Sequence, residues 1–236
     1  HWGETAHAQH QGQKTHQCSA CHRFLSAATQ QGLQYGDGRI LCGLCQITAI
    51  TDTSSIAPSR QRVLQSLSSA GFAYIPDYIS ITLSDQRRLN QTLNKRSHAN
   101  SHGLTKTVEK SVNGVLQYRE HSIFILYGLP RTVFEGVLAH ELLHVWLNEQ
   151  ANTRERTPQE IEGFCNLGTA RMYQQENTPL SNYLLERMHQ NTDPVYGEGY
   201  RQQHQRLEQM GWDGLRQHIQ RPAPFKNAIK TVDRWL

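Results

Sequence analysis

The sequence predicts an α+β chain: a small four-cysteine module, then a larger domain with a modest sheet followed by a mostly helical half. Three observations carry this. Two C-x2-C pairs sit between residues 18 and 45. Alternating, β-rich runs gather between residues 78 and 127. From Pro130 onward the apolar residues recur at helical spacing.

In chain order, residues 1–15 read as a disordered polar tail, with His1, His7 and His10 (and His16 just beyond) scattered too loosely for a metal site. Residues 16–47 read as a zinc ribbon. Each of Cys18/Cys21 and Cys42/Cys45 presents two thiolates to one metal, and two such knuckles close a tetrahedral four-thiolate site. Paired disulfides or a redox C-x-x-C fit less well, because two neighbouring knuckles favour metal and no βαβ pattern surrounds them. Tyr35 to Arg39 is a turn signal, giving a ribbon of two short hairpins. Thr48 to Pro58 is a Ser/Thr-rich link, expected as the domain boundary, and residues 59–236 form the main domain. Ser59 to Ala70 is an expected helix closed by Gly71, and Tyr78 to Leu83 a strand. Ser84 is the expected N-cap of a helix through about Lys95. Asn113-Gly114 should turn a hairpin between Thr107–Val112 and Val115–Tyr118. His121 to Tyr127 is expected as a further strand beside the cleft, able to pair with an extended substrate. Pro130 opens a long apolar helix, with Thr132 and Glu135 as a capping box. Glu149 to Pro158 is a polar turn, and Gln159–Gln175, Leu180–His189 and Gly199–Met210 are three more helices.

With 236 residues the chain can bury a real core. A net charge of +4 is too weak to argue for nucleic acid, and in the ribbon Arg23 and Arg39 are too few. No apolar run approaches the roughly 20 residues of a membrane span. The chain starts at His1, without Met or a signal-peptide core, which says nothing about targeting. A cytoplasmic monomer is the expectation.

The densest chemical information is His140-Glu141-Leu142-Leu143-His144. On a helix, positions i and i+4 share a face, so two imidazoles can aim at one point. Glu141 can reach a metal-held water as general base. Glu162 follows after 17 intervening residues, enough for a turn and a return helix, and is the natural third ligand of an open catalytic zinc site. Histidines and a glutamate inside so apolar a run are costly to bury unless they coordinate something. Asn166, four residues on, can hold the back of a ligating histidine. Cys165 can sit near this metal or act as a small buried apolar residue. The pattern is that of a zincin-type metallopeptidase domain, with two zinc ions per chain, one catalytic and one structural. Tyr196, flanked by Gly197 and Gly199, which suit a tight turn bringing it over the metal, is the candidate oxyanion donor, ahead of His189 and His204. The alternative is a non-catalytic zinc-binding adaptor, against which the intact Glu141 argues.

Four segments together resemble the "DA-one" zinc metallopeptidases, plant organ-size regulators with a LIM or LIM-like module ahead of the peptidase. They are Gly128–Arg131, Ala139–Leu147, Glu162–Cys165 and Val195–Arg201. The resemblance covers roughly residues 16 to 220. It implies a gluzincin peptidase with Glu162 as third ligand, acting on protein substrates, with ubiquitin or ubiquitin-like proteins as first candidates. The chain departs from the plant pattern in having one four-cysteine half rather than a full LIM domain and no obvious ubiquitin-interacting helix, and it looks like a compact bacterial relative. Where the family shows two acids before the glycine, Ile161 replaces the first.

Overall fold

The computed structural model describes Trp2 and residues 16–30, 32–92, 101–113, 115–151 and 156–221. The expected tail other than Trp2, the end of the helix near Lys95, Gly114 of the hairpin turn and residues beyond 221 lie outside the described residues; Trp2 is held to the ribbon, its Nε1–H donating to the Cys21 carbonyl at 2.9 Å. The described chain is α+β, as expected.

The ribbon opens with a bridge between Gln17 and Phe24 that closes the first cysteine knuckle. Its turn uses His22 in the left-handed region, φ 58°, with His22 N–H donating to the Cys18 carbonyl at 2.9 Å. Strands β1 (Gly32–Gln34) and β2 (Ile40–Cys42) form the expected hairpin about Tyr35–Arg39. The second knuckle differs from the expected hairpin: Cys42 ends β2 and Cys45 lies on a one-turn helix, α1 (Gly43–Gln46).

The stretch expected as a link is structured at both ends. β3 (Ala49–Ile50) pairs antiparallel with β7 (Leu129–Pro130), and α2 (Ile56–Ser69) begins before the link ends. Ile50 is buried in the main core, so an apolar residue inside a polar stretch outweighed the Ser/Thr composition. α2 stops where Gly71 takes φ 83°.

β4 (Ser80–Ser84) runs one residue further than a helix cap at Ser84 allows. Asp85 caps instead, its Oδ1 accepting from Arg88 N–H at 2.8 Å, and α3 (Gln86–Thr92) follows. β5 (Gly103–Val112) and β6 (Val115–Leu126) form the expected hairpin, but the two runs expected at 115–118 and 121–127 are one 12-residue strand. The sheet order is β4-β6-β5, with β4 and β6 parallel and β5 and β6 antiparallel.

α4 (Arg131–Gln150) runs through the centre of the molecule, buried on nearly every side by residues such as Phe134, Leu138, Leu142, Val145 and Trp146. The capping box expected at Thr132 and Glu135 does not form. Pro130 is the N-cap; Thr132 donates to Glu176 at 3.0 Å, and Glu135 pairs with Arg62 and Arg131. α5 (Pro158–Glu176) starts with a capping box of its own, Thr157 with Glu160. It lies against α4 at close range: a Cβ on Gly168 would stand 3.1 Å from the Ala139 carbonyl oxygen. α6 (Pro179–Gln190) and α7 (Gly197–Gln220, kinked at Gly211) complete the helical half. No described helix is long and apolar enough to cross a membrane.

Candidate metal and active site

Because α4 and α5 run antiparallel at glycine-permitted range, Glu162 and Asn166 come opposite His140 and His144. His140 Nε2 stands 3.1 Å from His144 Nε2 and 3.1 Å from Glu162 Oε2, and His144 Nε2 stands 3.5 Å from the same oxygen. Two ligands about 2.05 Å from a tetrahedral zinc stand about 3.3 Å apart. This triangle therefore has the size of three sides of a zinc tetrahedron. Cys165 Sγ lies within 4.8 Å of a nitrogen of each histidine, and the thiol is buried and held well above its usual range by that burial. Cys165 is thus both buried and beside the two histidines, which accords with each of its two expected roles.

Asn166 sits where expected. Its Nδ2 donates to the Tyr196 carbonyl at 3.0 Å, which turns its Oδ1 to His140 Nδ1, 3.0 Å away. His140 Nδ1–H must donate to that oxygen, which leaves the Nε2 lone pair facing the triangle. Without metal the three groups share protons. Burial pulls both imidazoles down, but the bonds to Glu162 outweigh it and raise them above the usual range. Burial likewise pushes Glu162 up, and the two histidines outweigh it and hold it well below the usual carboxylate range.

Glu141 is buried on the sheet side of α4. Its Oε2 accepts from Thr105 Oγ1 at 2.7 Å. Its carboxylate fits because β5 begins with glycine: a Cβ on Gly103 would stand 2.6 Å from Glu141 Oε1. Thr105 and Gly103 were missed in the sequence, although Gly103, Thr105 and Thr107 alternate onto one face of β5. The strand expected to receive a substrate, His121–Tyr127, cannot do so. It belongs to β6, which is paired on both sides, and β5 is the edge beside α4.

Tyr196 lines the same cleft as the triangle and Glu141. Its phenol is pushed up to about 12, first by burial and then by the charges of Glu162 and Glu141. The neighbouring glycines are not turn residues. Tyr196 is the N-cap of α7, and Gly197 and Gly199 are helical glycines at backbone contacts: a Cβ on either would strike the Asn191 or Gln159 carbonyl. The bend that places Tyr196 comes instead from Asp193, whose Oδ1 accepts from the N–H groups of Val195 and Tyr196, both at 2.8 Å. His189 and His204 lie apart from the triangle, beside the buried Tyr200 between α6 and α7. The cleft holds about 1260 Å³ and opens between β5, α4, α5, α6 and the 191–196 loop.

In the ribbon, Cys18, Cys21, Cys42 and Cys45 are all buried, and their sulfurs lie within 4.8 Å of one another. Cys21 Sγ and Cys42 Sγ are 3.7 Å apart, far beyond a disulfide bond and close to the ~3.8 Å expected for two thiolates on one tetrahedral zinc. Hydrogen bonds from Cys21 and Cys45 hold Cys18 low, and the bond to Cys18 pushes Cys21 up to about 12. A second thiolate here needs a cation. The buried four-cysteine cluster fits zinc.

Residues 60–172 match the family model "DA1-like: Protein DA1". This stretch, just under half of the chain, is similar to a DA1-like domain. Among its relatives, Protein DA1-related 2 of Arabidopsis thaliana is 26% identical over 70% of this chain and 36% of its own length. Two relatives extend over 95% of the chain, and so across the ribbon. The LIM domain-containing protein HDR3 of Oryza sativa subsp. japonica is 22% identical over 57% of its length, and Protein DA1 of Arabidopsis thaliana 21% identical over 52%. The chain thus spans between about a third and just over half of these relatives. No solved structure matches it.

Proposed function

We propose that this chain is a zinc-dependent endopeptidase, with one zinc at the His140–His144–Glu162 triangle and a second in the ribbon. The triangle's dimensions carry this reading: three donors 3.1–3.5 Å apart, with the lone pair of His140 aimed inward, opening on a cleft beside a buried carboxylate. Zinc, when bound there, supplies Lewis acidity and brings the pKa of a water toward about 7.

Glu141 performs the proton work. Thr105 occupies one lobe of its Oε2 and leaves the carboxylate turned to the cleft, so it accepts the proton of the attacking water. The water oxygen bonds to the scissile carbonyl carbon, the C–N bond breaks, and Glu141 returns the proton to the departing amine. Tyr196, still protonated at neutral pH because its phenol titrates near 12, donates to the oxyanion as it develops. The open edge of β5 offers main-chain pairing to an extended substrate. The ribbon positions protein substrates, and chains of ubiquitin or ubiquitin-like proteins are the first to try, on the strength of the family resemblance.

The test is a comparison of zinc-loaded wild type with Glu141→Gln on a complex peptide mixture. The amide keeps the shape but cannot accept the proton. Hydrolysis should fall by about 10²–10⁴-fold with the metal content unchanged. Equal activity of the two proteins would remove Glu141 from the mechanism. Inactivity of both on peptides and proteins would favour a binding role.

A further inference from the structure

The ribbon bears on the rest of the molecule at two places. On one side Tyr35 packs on the turn after β6. A Cβ on Gly128 would stand 2.7 Å from its ring, and it meets Tyr127 edge-on with centroids 5.9 Å apart. Arg39 Nη2 donates to the Tyr127 carbonyl at 2.8 Å. On the other side the first cysteine knuckle faces α6, and a residue from outside the ribbon fills the seam. Leu180 of α6 and Trp2 both pack against the cysteine cluster.

Trp2 is held from three directions. Its Nε1–H donates to the Cys21 carbonyl at 2.9 Å, across 19 positions of chain. The Arg23 guanidinium carbon lies 3.7 Å from the ring centroid, well inside cation–π range. Tyr183 of α6 meets the indole with centroids 5.1 Å apart and planes tilted by 47°. This combination suits an indole. Phenylalanine offers a face but no N–H, and an aliphatic side chain offers neither.

The slot is built on metal-ligating ground. Cys21 and Arg23 belong to one turn, which Cys18 fastens: His22 N–H donates to the Cys18 carbonyl and Cys18 N–H to the Arg23 carbonyl, both at 2.9 Å. The metal that fits the four cysteines would therefore fix the same turn that receives the indole. Beyond Trp2, the Tyr183 phenol accepts from Arg187 Nη1 at 3.1 Å, and Tyr183 and Arg187 both line the cleft. A line of contacts, Arg23–Trp2–Tyr183–Arg187, runs from the knuckle to the cleft.

We propose that Cys21, Arg23 and Tyr183 form an indole-binding slot, that Trp2 is its resident occupant, and that the seated indole clamps the knuckle onto the α6 wall of the cleft. The Tyr35–Arg39 contact is a single point of attachment, and Leu180 adds apolar area without direction. The directed contacts of Trp2 supply the second point, which fixes how the ribbon is turned against α6. The clamp stands apart from the peptidase reading, and both of its tests are made without substrate.

In the first, the protein is labelled with 5-fluorotryptophan and loaded with zinc, and the Trp2 fluorine resonance is identified as the one lost in Trp2→Phe. It should lie away from the shift of the free amino acid. Arg23→Ala and Cys42→Ser should each move it to that shift, while the resonances of Trp146 and Trp212, which belong to the main core, stay in place. A Trp2 resonance at the free shift in zinc-loaded wild type, or one that neither variant moves, overturns the slot. In the second, amide hydrogen exchange is compared between zinc-loaded wild type and Trp2→Ala. The α6 amides over 180–187 should exchange at least about fivefold faster in the variant, with those of α4 unchanged. Unchanged exchange in α6 overturns the clamp, and so does equal acceleration in α4 and α6, which would make Trp2 a general stabiliser. Trp2→Phe keeps a ring for Arg23 and Tyr183 but loses the N–H, so its α6 exchange should fall between the two. Exchange in Trp2→Phe equal to wild type would remove the Cys21 carbonyl from the slot.

Discussion

The ribbon and the cleft each gather metal-ligating side chains, but they finish the job differently. In the ribbon the set is complete: four sulfurs, with Cys18, Cys21 and Cys42 wholly buried and Cys45 at 3% exposure. In the cleft three donors form one face of a tetrahedron, and the side chains of His140, His144 and Glu162 keep 13%, 21% and 21% of their surface. Zinc bound there as proposed would keep a fourth position for a water or a carbonyl oxygen. A closed ligand set suits scaffolding and an open one suits chemistry. The contrast teaches that ligand number and exposure, rather than metal identity, separate the two sites.

Four changes sharpen this contrast. The largest effect expected is from Tyr196→Phe, which removes a donor from the open site alone. kcat should fall about 10²-fold with KM little changed, measured on any peptide the wild type cuts. Asn166→Ala unpins His140 and frees the Tyr196 carbonyl. It should weaken zinc at the open site about 10–100-fold by competition with a chromogenic chelator, and leave the ribbon metal in place. Cys42→Ser does the reverse, removing the ribbon metal while the triangle keeps its own. Hydrolysis of short peptides should stay within a few-fold, and cleavage of a folded protein should drop about tenfold, near 1.4 kcal/mol of transition-state stabilisation. An equal loss on both would make the ribbon a purely structural part of the fold.

The smallest effect is in pH. In the metal-free cluster His140 and His144 are raised and Glu162 is depressed. A raised imidazole stabilises fully below its unfolded pKa of about 6.5 and loses that contribution as pH climbs through the folded value. A depressed carboxylate stabilises above its unfolded pKa of about 4.3 and loses that as pH falls through the folded value. The cluster therefore helps most between about pH 4.5 and 6.5. Zinc needs neutral imidazoles, so its contribution grows toward pH 8. Thermal unfolding of wild type against His144→Ala, with and without zinc, should show these opposite trends.

The triangle was legible in the sequence because i, i+4 spacing and a return helix constrain geometry tightly. His140, His144, Glu162 and Asn166 all stand together as read. What escaped was long-range. Thr105 meets Glu141 across 36 positions, and only the pairing of β5 with β6, and of both with α4, makes that contact. Gly197 and Gly199 were read as turn formers, but their value lies in backbone contact with distant residues, which composition cannot reveal. The Thr132–Glu135 box was a sound local signal overridden when Glu135 met Arg62, 73 positions away. The Thr48–Pro58 stretch was judged by its average, and the two residues that mattered, Ile50 and Ile56, both buried in the main core, were outnumbered by nine polar or small neighbours.

The pairing of β3 with β7 has a consequence for how the molecule assembles. Ile50 and Leu129 are 79 positions apart, and closing so long a loop costs about 4 kcal/mol of chain entropy. Two residues of strand cannot offset that alone. The buried apolar residues of α4 offset the rest, and the N–H groups of Gly128 and Arg131 donate to the Ile50 and Thr48 carbonyls at 2.9 and 2.8 Å. Those bonds fix where α4 begins, and hence how its histidines are rotated about the helix axis. The stitch between β3 and β7 therefore couples the stretch that follows the ribbon to the setting of the histidines on α4.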